Sequence, residues 1–154
     1  MSEWRAKALE LFPNLTSEIQ SSTNPASLWI ELVCRFQRLY EPEINSAART
    51  SRDFIRAICL YAVWCARSTS PEAQQAAWIS FYEDVPYLAM RRKSLTYNRI
   101  VKDLVENMGI EEIERSASAI GGRLSPSQLR KFLADARQTE FERSKRSQKQ
   151  RRPK

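Results

Sequence analysis

The sequence predicts an all-α protein: a single-domain helical bundle of about seven helices over residues 1–143, followed by a disordered basic tail over 144–154. Apolar residues recur at spacings of three and four through most of the chain, while no stretch alternates with period two for long enough to nominate a strand. The 154 residues also include only 3 glycines, leaving few positions that tolerate the positive φ of a turn-rich all-β chain. A chain this long, with 42% hydrophobic residues and 4 tryptophans, can bury a substantial core without disulfides or a metal.

Ser2 is placed to cap a short helix through Phe12, whose Trp4, Ala8, Leu11 and Phe12 share one side before Pro13 ends it. Asn24-Pro25 supplies a cap and a favoured first helical residue for a long helix carrying Leu28, Trp29, Leu32, Val33, Phe36, Leu39 and Tyr40 and closing at Glu41-Pro42. A loop is expected from Pro42 to Thr50. Ser51 then caps a third helix, with Asp53 in its first turn; this helix is apolar almost all round from Phe54 to Ala66, as a central element should be. After the short link Ser68 to Ser70, Ser70-Pro71 starts a fourth helix running to about Asp84, closed by Pro86 and antiparallel to the third.

Tyr97, Val101, Leu104 and Met108 mark a fifth helix, with Gly109 at the positive-φ position after it. Ile110, Ile113, Ala117 and Ile120 mark a sixth, stopping at Gly121-Gly122. Ser125-Pro126 opens a last helix with Leu129, Phe132, Leu133 and Ala136 facing inward. The second to fourth helices read as the centre and the last two as peripheral.

The formal charge is +7, from 25 Lys and Arg against 18 Asp and Glu, and its location matters more than its size. Lys145, Arg146, Lys149, Arg151, Arg152 and Lys154 place six units in the last eleven residues, leaving residues 1–143 nearly neutral. With no apolar residue to bury, that tail cannot offset the backbone ordering cost of about 1–2 kcal/mol per residue and is expected to be disordered. It is either a solubilising terminus or a polyanion-binding segment acting through counterion release. Smaller basic sets, Arg49, Arg52 and Arg56 on one helical face and Arg91, Arg92 and Lys93 after the fourth helix, read as solvated surface. Arg130, Lys131 and Arg137 raise the question of a helix-turn-helix, but the connection Gly121 to Ser125 is longer than the 3–4 residue turn of that motif.

The chain has no histidine, which removes the commonest metal ligand and the usual activating base of a nucleophile. It also lacks a GxSxG elbow and a glycine-rich phosphate loop. No catalytic residue, metal or cofactor is therefore assigned. Glu83-Asp84 and Glu111, Glu112 and Glu114 read as surface or helix-end charges, because adjacent helical residues diverge by about 100°. Cys34, Cys59 and Cys65 form no ligand-spaced cluster and are expected as free buried thiols in a reducing, cytoplasm-like compartment. The charged start SEWRAKALELF lacks the apolar run of a secretory signal. Ala57 to Ala66 is the longest uncharged apolar run, about half of the roughly 20 residues that span a bilayer, so no membrane segment is expected.

The most concentrated apolar feature is the set Tyr61, Trp64, Trp78, Phe81 and Tyr82, most simply read as core packing. Its functional alternative is that Trp78 or Tyr82 reaches the surface beside Glu83 and Asp84 and anchors a protein partner. FIRAICLYAVWCARS followed by AAWISFYEDVP resembles a family of small bacterial all-helical proteins of unassigned function, in which a Tyr-Ala-x-Trp-Cys helix precedes a helix ending in Phe-Tyr-Glu. LFPNLTSEI resembles the family's opening segment. The resemblance covers about residues 8–95 and nominates Trp64, Phe81, Tyr82 and Glu83 as family-typical positions. It implies an immunity-like binding protein. The histidine that often follows the glutamate in that family is Asp84 here, so an acid/base role does not carry over.

The expectation is thus a non-enzymatic bacterial protein-binding module with Trp78, Tyr82, Glu83 and Asp84 as its contact residues. The alternative is a nucleic-acid-associated protein binding through Lys145, Arg146, Lys149, Arg151, Arg152 and Lys154.

Overall fold

Asn24 and Ser27 show how local chemistry starts a helix: the Asn24 side chain accepts from the Ser27 amide at 2.9 Å while the Ser27 hydroxyl accepts from the Asn24 amide at 3.3 Å. In the computed structural model, which describes residues 1–41 and 48–150, that box opens a helix whose buried stripe is the expected one. Among the described residues every regular element is helical and there is no strand. The elements are α1 (Glu3–Leu11), a 3₁₀ turn (Pro13–Leu15), α2 (Thr16–Ser21), α3 (Pro25–Arg38), α4 (Ala48–Arg67), α5 (Pro71–Ala77), a π-helical segment (Trp78–Glu83), α6 (Asp84–Met90), α7 (Ser94–Met108), α8 (Ile110–Arg115), α9 (Ala117–Ile120) and α10 (Pro126–Gln150).

α4 lies against α1, α3, α5 and α7, in agreement with its nearly all-round apolar sequence. A connected set of rings fills the space between α1, α3, α4 and the π segment. Trp29 stacks on Tyr61 with centroids 5.1 Å apart, Phe12 meets Tyr61 edge-on at 5.7 Å, and Phe81 meets Trp29 at 5.5 Å. Trp29, Tyr61 and Phe81 are buried, which by transfer bookkeeping is worth roughly 1.5–3 kcal/mol for a large apolar side chain. The Tyr61 hydroxyl donates to the Trp4 carbonyl at 3.1 Å and ties α1 to α4.

Several expectations need correction. Ser51 does not start the third helix: α4 already includes Ala48 to Thr50, so Ser51 is interior, and residues 42–47 of the expected loop lie outside the described residues. Pro86 does not close the fourth helix, and the rod continues to Met90. Pro86 is the third residue of α6, in a first turn where its missing N–H is tolerated, and the carbonyl four residues back belongs to the wider π segment. The sixth helix is broken at Ser116 into α8 and α9.

The later helices are not peripheral either. Phe132 and Ala136 of α10, Ile113 of α8 and Ile120 of α9 belong to the same core cluster as Trp4 and Trp29. Cys59 and Cys65 are buried free thiols, but Cys34 is exposed. Burial drives the Cys59 thiol well above its ordinary pKa and pushes Cys65 up to about 12, so both stay protonated.

Helix α10 continues through Ser144 to Gln150 instead of giving way to a coil at residue 144; residues 151–154 lie outside the described residues. Once a helix is nucleated by a packed segment, each further residue adds one hydrogen bond at low cost. Arg143 also reaches back to both oxygens of Glu140 at 2.9 and 3.1 Å, and the Ser144 hydroxyl donates to Glu140 at 3.2 Å. Ser125 and Gln128 start the helix with a reciprocal box of 2.9 and 3.2 Å. Among the described residues, no helix is long and apolar enough to cross a membrane.

Candidate binding pocket

A π-helical turn closes i→i+5 bonds, is rare and is frequently found at functional sites, and this one spans every residue from Trp78 to Glu83. It divides its aromatic side chains between interior and surface. Phe81 and Tyr82 are buried, Tyr82 at 2% exposure, whereas Trp78 is 41% exposed and its neighbour Ile79 is exposed as well. Of the two aromatic candidates, Trp78 is therefore the one that reaches solvent. Tyr82 supports the site from beneath.

Trp78 and Glu83 line a concavity of about 370 Å³ together with Ala66, Arg67, Glu112, Arg115, Ser116, Ser118 and Ala119. The floor is organised by Glu112, which is 5% exposed. Its Oε1 accepts from the Tyr82 hydroxyl at 3.0 Å and the Ser116 hydroxyl at 3.3 Å. Its Oε2 accepts from Arg67 Nη2 at 2.7 Å and Arg115 Nη1 at 3.0 Å. Burial by itself pushes the Glu112 carboxyl up, but the Arg67 and Tyr82 hydrogen bonds and the charges of Arg67 and Arg115 outweigh it and hold the carboxyl below its ordinary pKa. The carboxylate stays ionised and fixes two guanidiniums whose side chains remain 58% and 61% exposed. Both keep donors to spare toward the pocket, because a guanidinium has five N–H groups.

Glu83 lines the same concavity. A Cβ built on Gly122 would lie 2.6 Å from Glu83 Oε2, so only glycine lets the Glu83 side chain lie against the α9–α10 connection. Asp84 points elsewhere: it accepts from Arg123 Nη1 at 2.6 Å, and the Arg123 guanidinium sits 4.0 Å from the Tyr87 ring centroid. The four contact residues expected from sequence are therefore only partly brought together. Trp78 and Glu83 line the pocket, Tyr82 reaches it through Glu112, and Asp84 is engaged in a neighbouring ion pair.

Sequence reasoning missed Glu112, Arg67 and Arg115. The sequence reads Glu112 as a surface charge, whereas its burial depends on partners 30 and 45 residues away in the chain. No periodic signal carries such a contact. On α10, Lys131 is engaged with Asp135 at 2.6 Å and Arg137 with Glu114 at 2.6 Å, while Phe132 and Ala136 between them are buried. The first half of α10 therefore packs its Phe132–Ala136 face into the core and carries its cations on the outer face. Among the described residues, no group of three or more His, Cys, Asp or Glu is placed to hold a metal ion. No family model, no curated protein and no solved structure matches this chain.

Proposed function

We propose that the protein is a non-enzymatic binding module whose partner is another protein, gripped by the pocket at the π segment. The observation that carries this reading is Trp78, 41% exposed on a π turn at the edge of a concavity whose two arginines are fixed by one buried carboxylate. An aromatic anchor beside an oriented guanidinium pair is the composition of an interface hot spot, where tryptophan and arginine are over-represented. The spare N–H donors of Arg67 and Arg115 suit a partner carboxylate, and Glu83 in the same lining suits a partner cation or amide. A cytoplasmic, bacterial, immunity-like role, as the hairpin motif implies, belongs to the same proposal.

The test places a photo-crosslinking residue at Ile79 in the cells that make the protein. One protein should dominate the adducts, and Trp78→Ala and Arg67→Glu should each weaken its capture by about 30-fold, the equivalent of a hot spot worth about 2 kcal/mol. Arg52→Glu, on exposed α4 surface away from the pocket lining, should leave capture unchanged. Adducts that survive both pocket substitutions would overturn the proposal.

A further inference from the structure

The distal part of α10 raises a separate question. Every residue from Phe141 to Gln150 is exposed, yet the segment is helical, so it makes no contribution to the core. Between Arg143 and Gln150 the sequence holds Arg143, Lys145, Arg146 and Lys149 and no acidic residue. Arg143 is occupied by Glu140, whereas among the described residues Lys145, Arg146 and Lys149 have no carboxylate partner. The sequence adds Arg151, Arg152 and Lys154 beyond them. Residues 1–143 hold 19 basic against 18 acidic residues, so the protein's positive field is concentrated at this one end.

We propose that this end of α10 is a preformed cationic helix that docks on double-stranded DNA. The choice among polyanions follows from what the helix lacks. Phe141 is the only apolar side chain after Ala136, so the helix has no apolar face with which to enter a lipid interface. Phe141, with the Lys145 ammonium 4.3 Å from its ring centroid, is the one aromatic side chain on this part of the helix, whereas single-strand binding uses a series of aromatic platforms for successive bases. An A-form RNA duplex presents a major groove too narrow for side chains to read. The B-DNA major groove, about 12 Å wide, admits an α-helix about 10–12 Å across and lines it with phosphates on both sides. Contacts of this kind are made to backbone phosphates, so recognition is of duplex shape and charge and not of base sequence.

Fluorescence anisotropy of the full-length chain with a labelled 20-base-pair DNA duplex tests this. The affinity should fall between about 40-fold and about a thousandfold from about 50 to 200 mM salt, as release of three to six counterions requires. Reversing Lys145, Arg146 and Lys149 together to Glu should abolish binding. Ser144→Pro keeps every charge but breaks the helix beyond the last buried residue, Ala136, so the body stays folded by circular dichroism while duplex affinity drops about tenfold. If Ser144→Pro binds as tightly as the parent, the preformed helix is irrelevant and the proposal fails. It fails equally if single-stranded DNA, duplex RNA, anionic vesicles or poly-glutamate compete as well as unlabelled duplex DNA.

Discussion

Replacing Glu112 by Gln leaves shape and volume intact and changes only what the two oxygens can accept. The retained amide oxygen can still take the Tyr82 and Ser116 hydroxyls, but the new NH₂ group would face Arg67 and Arg115, donor against donor, where the carboxylate now accepts at 2.7 and 3.0 Å. Hydrogen bonds to charged groups are worth about 1.5–3 kcal/mol each. Both arginines are more than half exposed and rehydrate once released, so the expected loss is smaller, about 1–2 kcal/mol at neutral pH. For a chain of this size that corresponds to a melting temperature lower by about 3–6 °C.

The pH dependence gives the sharper readout. The folded-state pKa of Glu112 lies below its unfolded value, so its stabilising contribution is fully present above the unfolded pKa of about 4.3 and is lost as pH falls through the lower folded value. Urea unfolding of parent and Glu112→Gln should therefore show the full gap at pH 7 and a closing gap below about pH 4. A variant as stable as the parent at pH 7, or a gap that does not narrow in acid, would refute the assignment of Glu112 as the ionised anchor of the pocket.

Asp103 should behave with the opposite sign: burial raises its pKa more than the hydrogen bond from Tyr40, at 2.6 Å, lowers it, so its contribution is present at low pH and lost as pH rises through the folded value. Asp103→Asn should thus compare more favourably with the parent at pH 7 than at pH 4, measured by the same urea titrations. Phe132→Ala should cost about 3–5 kcal/mol in chemical denaturation, because the side chain is fully buried among residues such as Phe81, Leu104 and Ile113. A loss below about 1 kcal/mol would mean that α10 is an appendage and not part of one cooperative core.

The parts of this fold that were legible in the sequence are those decided by neighbours along the chain. Asn24-Pro25, Ser70-Pro71 and Ser125-Pro126 each open a helix, since capping and proline's fixed φ act within one turn. Gly109, with φ 85° after Met108, is local in the same sense. What was not legible depends on tertiary placement. Pro86 reads as a stop until the π segment ahead of it is known. Glu112 reads as a surface charge until Arg67 and Tyr82 are brought to it. The end of α10 reads as disordered by the absence of burial, whereas helix propagation from a packed segment and the Glu140–Arg143 pair extend it to Gln150. In the pocket itself, the aromatic crowding around Trp78 was visible, but the arginine pair that gives it chemical character was not.

Because an i→i+5 turn holds one residue more than an i→i+4 turn, the Trp78–Glu83 segment is an α-helix carrying one residue in excess. Deleting a single residue there would return the segment to α spacing and set the Pro86 ring against the carbonyl four residues back, in a helix interior where proline kinks or breaks the rod. The outward display of Trp78 and Ile79 is thus encoded as an addition to the scaffold. The same addition carries the rod past Pro86, so the display of the two side chains and the continuity from α5 into α6 are kept or lost together.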